Sequence, residues 1–300
     1  SSVRVDSKGA PHAVCYGNAN PSQLRYVTRV GNAWRTQIID NSSGGAPGVF
    51  ASIELDSLDL PYVAHQVWFP GQKPYFTRML PNGTWTPAEQ IEPQAGSTLN
   101  GWGIKLQLFH GQPRVAYCDF TASTLIKYAE KTVGGWNVET VSGLGNVPDQ
   151  AQHDLGFDIS RTGVPHIATV SRTPPFGLRY FTKTGGVWTT ELVDSNGTDD
   201  RGLSPSLILD SNSVPHISYF DATLQDLKYA RRTGGTWSVE TVDATGNTGN
   251  FSEIMIASNG QPAIAYLEYG SMGVPSRIRF AQRSAGGSWQ IETVDDVAVS

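Results

Sequence analysis

The sequence predicts an all-β fold, a six-bladed β-propeller with four antiparallel strands per blade. Three observations predict it. First, the stretch from Ser204 to Asp243 holds four short apolar runs, SLILD, PHISYF, LKYARR and WSVETVD, parted by Asp210–Ser211–Asn212–Ser213 and by Gly234–Gly235. Short runs rich in β-branched and aromatic residues, bounded by such breakers, read as strands joined by tight turns. Second, the pattern recurs six times at intervals of 47–52 residues, as the following anchors show. A proline opens the second strand at Pro11, Pro61, Pro113, Pro165, Pro215 and Pro262. An aromatic marks the third at Tyr26, Tyr75, Tyr128, Tyr180, Tyr229 and Phe280. A tryptophan opens the fourth at Trp34, Trp85, Trp136, Trp188, Trp237 and Trp289. Third, no stretch carries a helical period of apolar residues over three turns.

Each element follows from these anchors. One four-stranded meander has two apolar faces and cannot bury them alone, so the copies must pack on one another. A period near 50 residues with four strands per repeat means radial blades. The blades fall approximately at 1–40, 50–92, 103–142, 154–194, 204–243 and 251–295, and the chain reads as one propeller domain over 1–300. The first and last copies are both complete, so the ring is expected to close by packing blade 6 on blade 1 without a swapped strand. Innermost strands carry Arg4, Glu54, Lys105 and Asp158 at one register, with signs that alternate. These four are expected to face the central channel and to pair with neighbours.

Bulk composition narrows the function. The net charge is −5, which offers no basic face for nucleic-acid phosphates. Charged residues make up 16% of a chain rich in Gly, Ser and Thr, a composition common among exported β proteins. No apolar run is long enough to span a bilayer, and Ser1 opens no signal-peptide pattern, so the chain reads as the mature form of a secreted protein. Cys15 and Cys118 fall in second strands of non-neighbouring blades and are expected to be buried free thiols. Two cysteines support neither a zinc site nor a disulfide scaffold.

Loop lengths separate two faces. Turns joining strands one to two and three to four are short, as in DSKGA, DSNSV and RTGGT. Loops joining strands two to three and four to one are long and differ in every blade, as in PQAGSTLNGWG and GLGNVPDQAQHD. Binding chemistry collects on variable loops carried by a rigid scaffold, so the long-loop face is the candidate functional face.

Repetition then sorts residues. A type present at one register in most blades is architectural, and one that breaks register asks for a reason. The six fourth-strand tryptophans read as packing between blades, and His12, His166 and His216, each after its proline, as structural. Trp68 and Trp102 break the register, both on the long-loop face of adjacent blades; an exposed indole there suits a sugar ring. His65 stands where other blades have Tyr, and His153 and Asp154 lie in the loop entering blade 4. Asp119, Asp221 and Glu268 end their second strands; Asp221 and Glu268 come from adjacent blades, where a carboxylate pair could reach the separation glycosidases use, roughly 5–10 Å. Asp200 and Arg201 would form the far rim of a site centred on His65, Trp68, Trp102, Asp119, His153 and Asp154. No metal site is assigned; the oxygen-rich run Asp194–Ser195–Asn196–Gly197–Thr198–Asp199–Asp200 vaguely suits calcium but is no full EF-hand loop.

The repeat PHISYFD (Pro215–Asp221), LKYARR (Leu227–Arg232), WSVETVD (Trp237–Asp243) resembles those of secreted bacterial propellers, over the whole chain. It is more distantly similar to sialidase and Asp-box propellers and to bacterial propeller lectins. The resemblance implies the fold and little about activity. The S-x-D-x-G-x-x-W box is absent: GGTW at Gly234–Trp237 and NGTW at Asn82–Trp85 keep only its turn and tryptophan. No arginine triad stands out, because Arg25, Arg179 and Arg279 share a register with Lys127 and Lys228.

With no nucleophile–base constellation and no phosphate loop, the reading is a secreted, non-catalytic recognition module. It would bind a glycan or another extracellular partner, need no cofactor, and use one or two unique sites. The alternatives are a polysaccharide-active enzyme, hydrolase or lyase, and a structural part of an extracellular assembly.

Overall fold

The computed structural model describes all residues except 18–21, 41–45, 69–70, 93–99, 121–123, 146–154, 172–173, 196, 198–200, 272–274 and 298–300. Every regular element is a strand, and the strands form six four-stranded antiparallel sheets, each from consecutive stretches of chain. These are the six blades of a β-propeller. Blade 1 runs from Ser2–Val5 to Ala33–Asp40, and blade 5 from Arg201–Leu209 to Thr236–Asp243. The fourth strand of blade 2 is reduced to Glu89–Gln90, with Trp85 held by a lone bridge to Met79. Pro87 lies between them and cannot donate to a ladder.

By packing, the chain divides into two compact units, Ser1–Asn146 and Val147–Ser300, of three blades each. Within each unit the core lies in the seams between blades. In the first, Val14, Leu24 and Tyr26 of blade 1 meet Ala51, Ile53 and Val63 of blade 2. In the second, Tyr180 and Leu178 of blade 4 meet Leu207, Ile217 and Tyr219 of blade 5.

Seams are fastened at both ends. Toward the short turns, each tryptophan of a later blade stands edge-on against the third-strand aromatic of the blade before it: Trp85 on Tyr26 (5.3 Å), Trp136 on Phe76 (5.3 Å), Trp237 on Tyr180 (5.0 Å) and Trp289 on Tyr229 (5.3 Å); in blade 2 the ring at this register is Phe76, opposite Ala64, and not the expected Tyr75, which stands opposite His65. Such contacts add to area burial. The indole N–H donates to a fourth-strand side chain of that earlier blade, Gln37 for Trp85, Glu89 for Trp136 and Glu191 for Trp237. A cation beside the tryptophan binds the same acid, Lys131 on Glu89 and Arg232 on Glu191; beside Trp289, Arg283 pairs with Glu240 at the equivalent position. Where blade 2 has Met79 at the cation position, the acceptor is the neutral Gln37. Trp34, 61% exposed, departs from the expected tryptophan packing. It stands on the first blade of its unit, with no earlier blade in that unit to meet.

Toward the long loops a second rung closes each seam. Tyr117 donates to Glu92 (3.0 Å), Tyr219 to Asp194 (2.6 Å) and Tyr266 to Asp243 (2.6 Å). Burial, reinforced by the neighbouring acid, pushes the phenols of Tyr117 and Tyr219 well upward, which keeps them protonated donors.

First strands enter through a repeated bulge. Gly48-Val49-Phe50, Gly101-Trp102-Gly103, Gly202-Leu203-Ser204 and Gly249-Asn250-Phe251 each place their first and third residues at positive φ. At Gly202 (φ 98°) a Cβ would stand 2.7 Å from Leu178 Cα of the preceding blade, so only glycine lets the strand seat there.

One expectation, on the cysteines, comes out differently. Cys118 is buried, but Cys15, on the first blade of its unit, is only half-buried; neither forms a disulfide. Of the four inner charges, Arg4 and Glu54 do pair, with Arg4 Nε donating to Glu54 at 2.9 Å. Asp158 accepts the backbone N–H of Leu209 in the next blade (2.8 Å).

Candidate functional site

The long-loop end of the seam between blades 2 and 3 gathers an aromatic cluster. Trp68 follows the second strand of blade 2, Pro61–Val67, and its backbone N–H donates to Ala46 O (3.2 Å). Trp102 is the middle residue of the bulge entering blade 3. The two rings meet at 5.3 Å between centroids and 58° between planes. Phe50 and Phe120 flank Trp102 at 5.1 and 5.9 Å. Trp102 is 8% exposed and its indole N–H donates to Gln72 Oε1 (2.7 Å). Trp68 is half-buried. A supported, half-buried indole offers a flat apolar face beside polar groups.

The bulge gives Trp102 a place in the repeat. Its equivalents Val49, Leu203 and Asn250 stand at the same point of the same turn, so the position is architectural while the residue type is particular to blade 3. Leu203, at that point in blade 5, packs on Val170 and Phe220 in a mainly aliphatic cluster.

His65 is fully buried, with Nε2 donating to Asp40 (3.0 Å). It makes the seam rung that Tyr117, Tyr219 and Tyr266 make elsewhere. Asp119 is buried at the end of its strand, beside the aromatic cluster in sequence. Arg201 bridges two carboxylates, Asp194 (3.1 Å) and Asp221 (3.2 Å). Arg279 does the same for Asp243 (3.2 Å) and Glu268 (3.4 Å). Asp221 and Glu268 are thus each tied to an arginine. Both oxygens of Asp194 are taken, by Arg201 and Tyr219, and Asn196, Thr198, Asp199 and Asp200 lie outside the described residues, as do His153 and Asp154. Gln72 joins the cluster without a signal in the repeat; it stands at a loop position with no register of its own.

No protein-family model matches the chain, and no curated protein matches it. Solved structures match the fold. A protein of unknown function from Dyadobacter fermentans is 12% identical, with a TM-score of 0.61, covering 97% of this chain and 92% of that one. AofleA from Arthrobotrys oligospora is 10% identical at a TM-score of 0.58, over 98% and 85% of the two chains. The Aleuria aurantia lectin is 13% identical at a TM-score of 0.56, over 98% and 94%. The chain therefore shares its fold with a propeller lectin.

Proposed function

We propose that this chain is a secreted, non-catalytic recognition module that binds a glycan at the long-loop end of the seam between blades 2 and 3. The observation that carries this reading is Trp68, a half-buried tryptophan resting on the buried Trp102 at 5.3 Å. An indole face stacks on the C–H face of a pyranose, and rigid support keeps the ordering entropy low. Gln72 spends its carbonyl on Trp102, and its amide group carries two further donors for ligand hydroxyls. The fold offers a precedent: the matching Aleuria aurantia lectin is in complex with Fucα1-6GlcNAc. Asp221 and Glu268 are each engaged by an arginine rather than open to a substrate, which favours binding over hydrolysis. The low content of charged residues and the abundant Gly support export.

The experiment is a glycan array run beside a reducing-sugar release assay on the same glycans. Binding without release is the expected result. Release of reducing ends would replace the reading with a polysaccharide-active enzyme, and silence across the array would replace it with an assembly role.

A further inference from the structure

A second cavity, of about 370 Å³, opens at the seam between blades 4 and 5, toward the short turns. That volume falls in the range of small-molecule sites, roughly 300–1,000 Å³. Its walls carry Ser160, Thr182, Thr184, His166, Glu191 and Arg232 among others.

The repeat shows what is unusual there. In blades 1 and 5 the histidine after the register proline has a tyrosine hydroxyl at Nδ1 and an aspartate facing Nε2. His12 has Nδ1 on the Tyr26 hydroxyl (2.6 Å) and Nε2 on Asp6 (3.4 Å). His216 has Nδ1 on the Tyr229 hydroxyl (2.6 Å) and Nε2 facing Asp210 (3.6 Å). His166 keeps the first contact, Nδ1 to the Tyr180 hydroxyl. The aspartate, however, is Ser160 in blade 4. Ser160 Oγ accepts the Val164 N–H (3.0 Å), as the aspartates do for their own turns, and meets Thr162 Oγ1 (3.0 Å). Among the described residues His166 Nε2 has no partner, although the side chain is 8% exposed and lines the cavity.

We propose that this cavity is a binding site for a small neutral polyhydroxyl ligand of monosaccharide size, oriented by a hydrogen bond to His166 Nε2. A hydroxyl both donates and accepts, so it satisfies Nε2 in either tautomer. Burial, with the Arg232 charge nearby, pushes the His166 pKa down to about 4, so the imidazole is neutral near pH 7. Arg232 spends its charge on Glu191 through two bonds of 2.8 and 2.9 Å, which leaves no free charge for an ionic ligand. The lining hydroxyls supply the remaining polar contacts. This site is independent of Trp68 and lies at the other end of a different seam.

The test is Ser160→Asp. It installs the residue that blades 1 and 5 already hold at this turn, so the variant is expected to fold. The new carboxylate should take Nε2 as Asp6 takes His12. Imidazole ring resonances of His166 are followed by NMR while the full chain is titrated with neutral hexoses, deoxyhexoses, pentoses and myo-inositol at millimolar concentration. The proposal expects saturable shifts of the His166 signals with at least one probe in the wild type. Ser160→Asp should weaken that probe about tenfold or more, while Trp68→Ala leaves it unchanged. No shift with any probe, or equal affinity in Ser160→Asp, would overturn it.

Discussion

The seam between blades 1 and 2 and the seam between blades 4 and 5 are built on one plan and end in different chemistry. Each sets a tryptophan edge-on against a tyrosine, and each leaves a cavity beside that tyrosine, about 410 Å³ in the first and 370 Å³ in the second. The first has no acid in its lining: Gln37 faces Trp85, Met79 holds the cation position, Arg35 lines the wall, and His12 is bound to Asp6. The second is polar: Glu191 holds Arg232 and Trp237, and His166 has lost its acid to Ser160. The packed middle of a seam cannot change without loss of the core, so difference collects at its rims, where one substitution alters what a cavity offers. The same contrast separates Trp102 with its aromatic neighbours from Leu203 with Val170 and Phe220.

The common plan should show first. Trp85→Ala and Trp237→Ala each remove an indole wedged between blades and should each cost about 3 kcal/mol, the low end for a buried tryptophan because both rings are only partly covered. Trp34→Ala, at a residue 61% exposed, should cost less than about 1 kcal/mol. Urea unfolding of the three variants checks this; a stable Trp237→Ala would show that the edge-on contact holds nothing together.

The histidines give a pH-dependent difference. Burial pushes both His166 and His216 down to about 4, against an unfolded value of about 6.5. The unfolded chain therefore takes up protons from about pH 6.5 downward, while the folded chain stays neutral until about pH 4. Their stabilisation is complete above pH 6.5 and is lost as pH falls toward 4, by up to about 3 kcal/mol for each. Urea midpoints near pH 7 and near pH 4.5 should fall in the wild type and fall less in His166→Gln. Equal falls would mean that His166 is protonated in the fold.

The smallest effect concerns the charged rung. Glu191→Gln frees Arg232, and Gln37→Glu places a carboxylate beside Met79, which offers it no charge. Both groups of the existing pair are about one-third exposed, so each change should cost less than about 1 kcal/mol. Added salt should narrow the gap between Glu191→Gln and the wild type. A salt-independent gap would point to packing.

Fold and register were legible because proline, aromatic and tryptophan anchors recur where each strand begins or packs. The tyrosine-to-acid rung was not, since Tyr219 and Asp194 belong to different blades and pair only once the blades meet. His65 stood out as odd for the same reason: sequence shows the missing tyrosine but not the Asp40 that makes histidine an equal substitute. Trp102 was visible as a register break, yet its bulge was not. The left-handed glycines at 101 and 103 look like ordinary loop glycines until a backbone shows what they pack against. Ser160 is readable in hindsight, as the serine in SRTG where DSKG, DSLD and DSNS begin with aspartate.

The central claim is that Trp68 meets the ligand while Trp102 supports it. Trp68→Ala and Trp102→Ala, compared with the wild type for glycan affinity and for thermal midpoint, test it most directly. Trp68→Ala should lose at least tenfold in affinity, the share of one stacked aromatic, at an unchanged midpoint. Trp102→Ala should lose about 3–5 kcal/mol of stability, because it empties a buried site and strands Gln72. If Trp68→Ala binds as the wild type does, or if it melts as Trp102→Ala does, the account is contradicted.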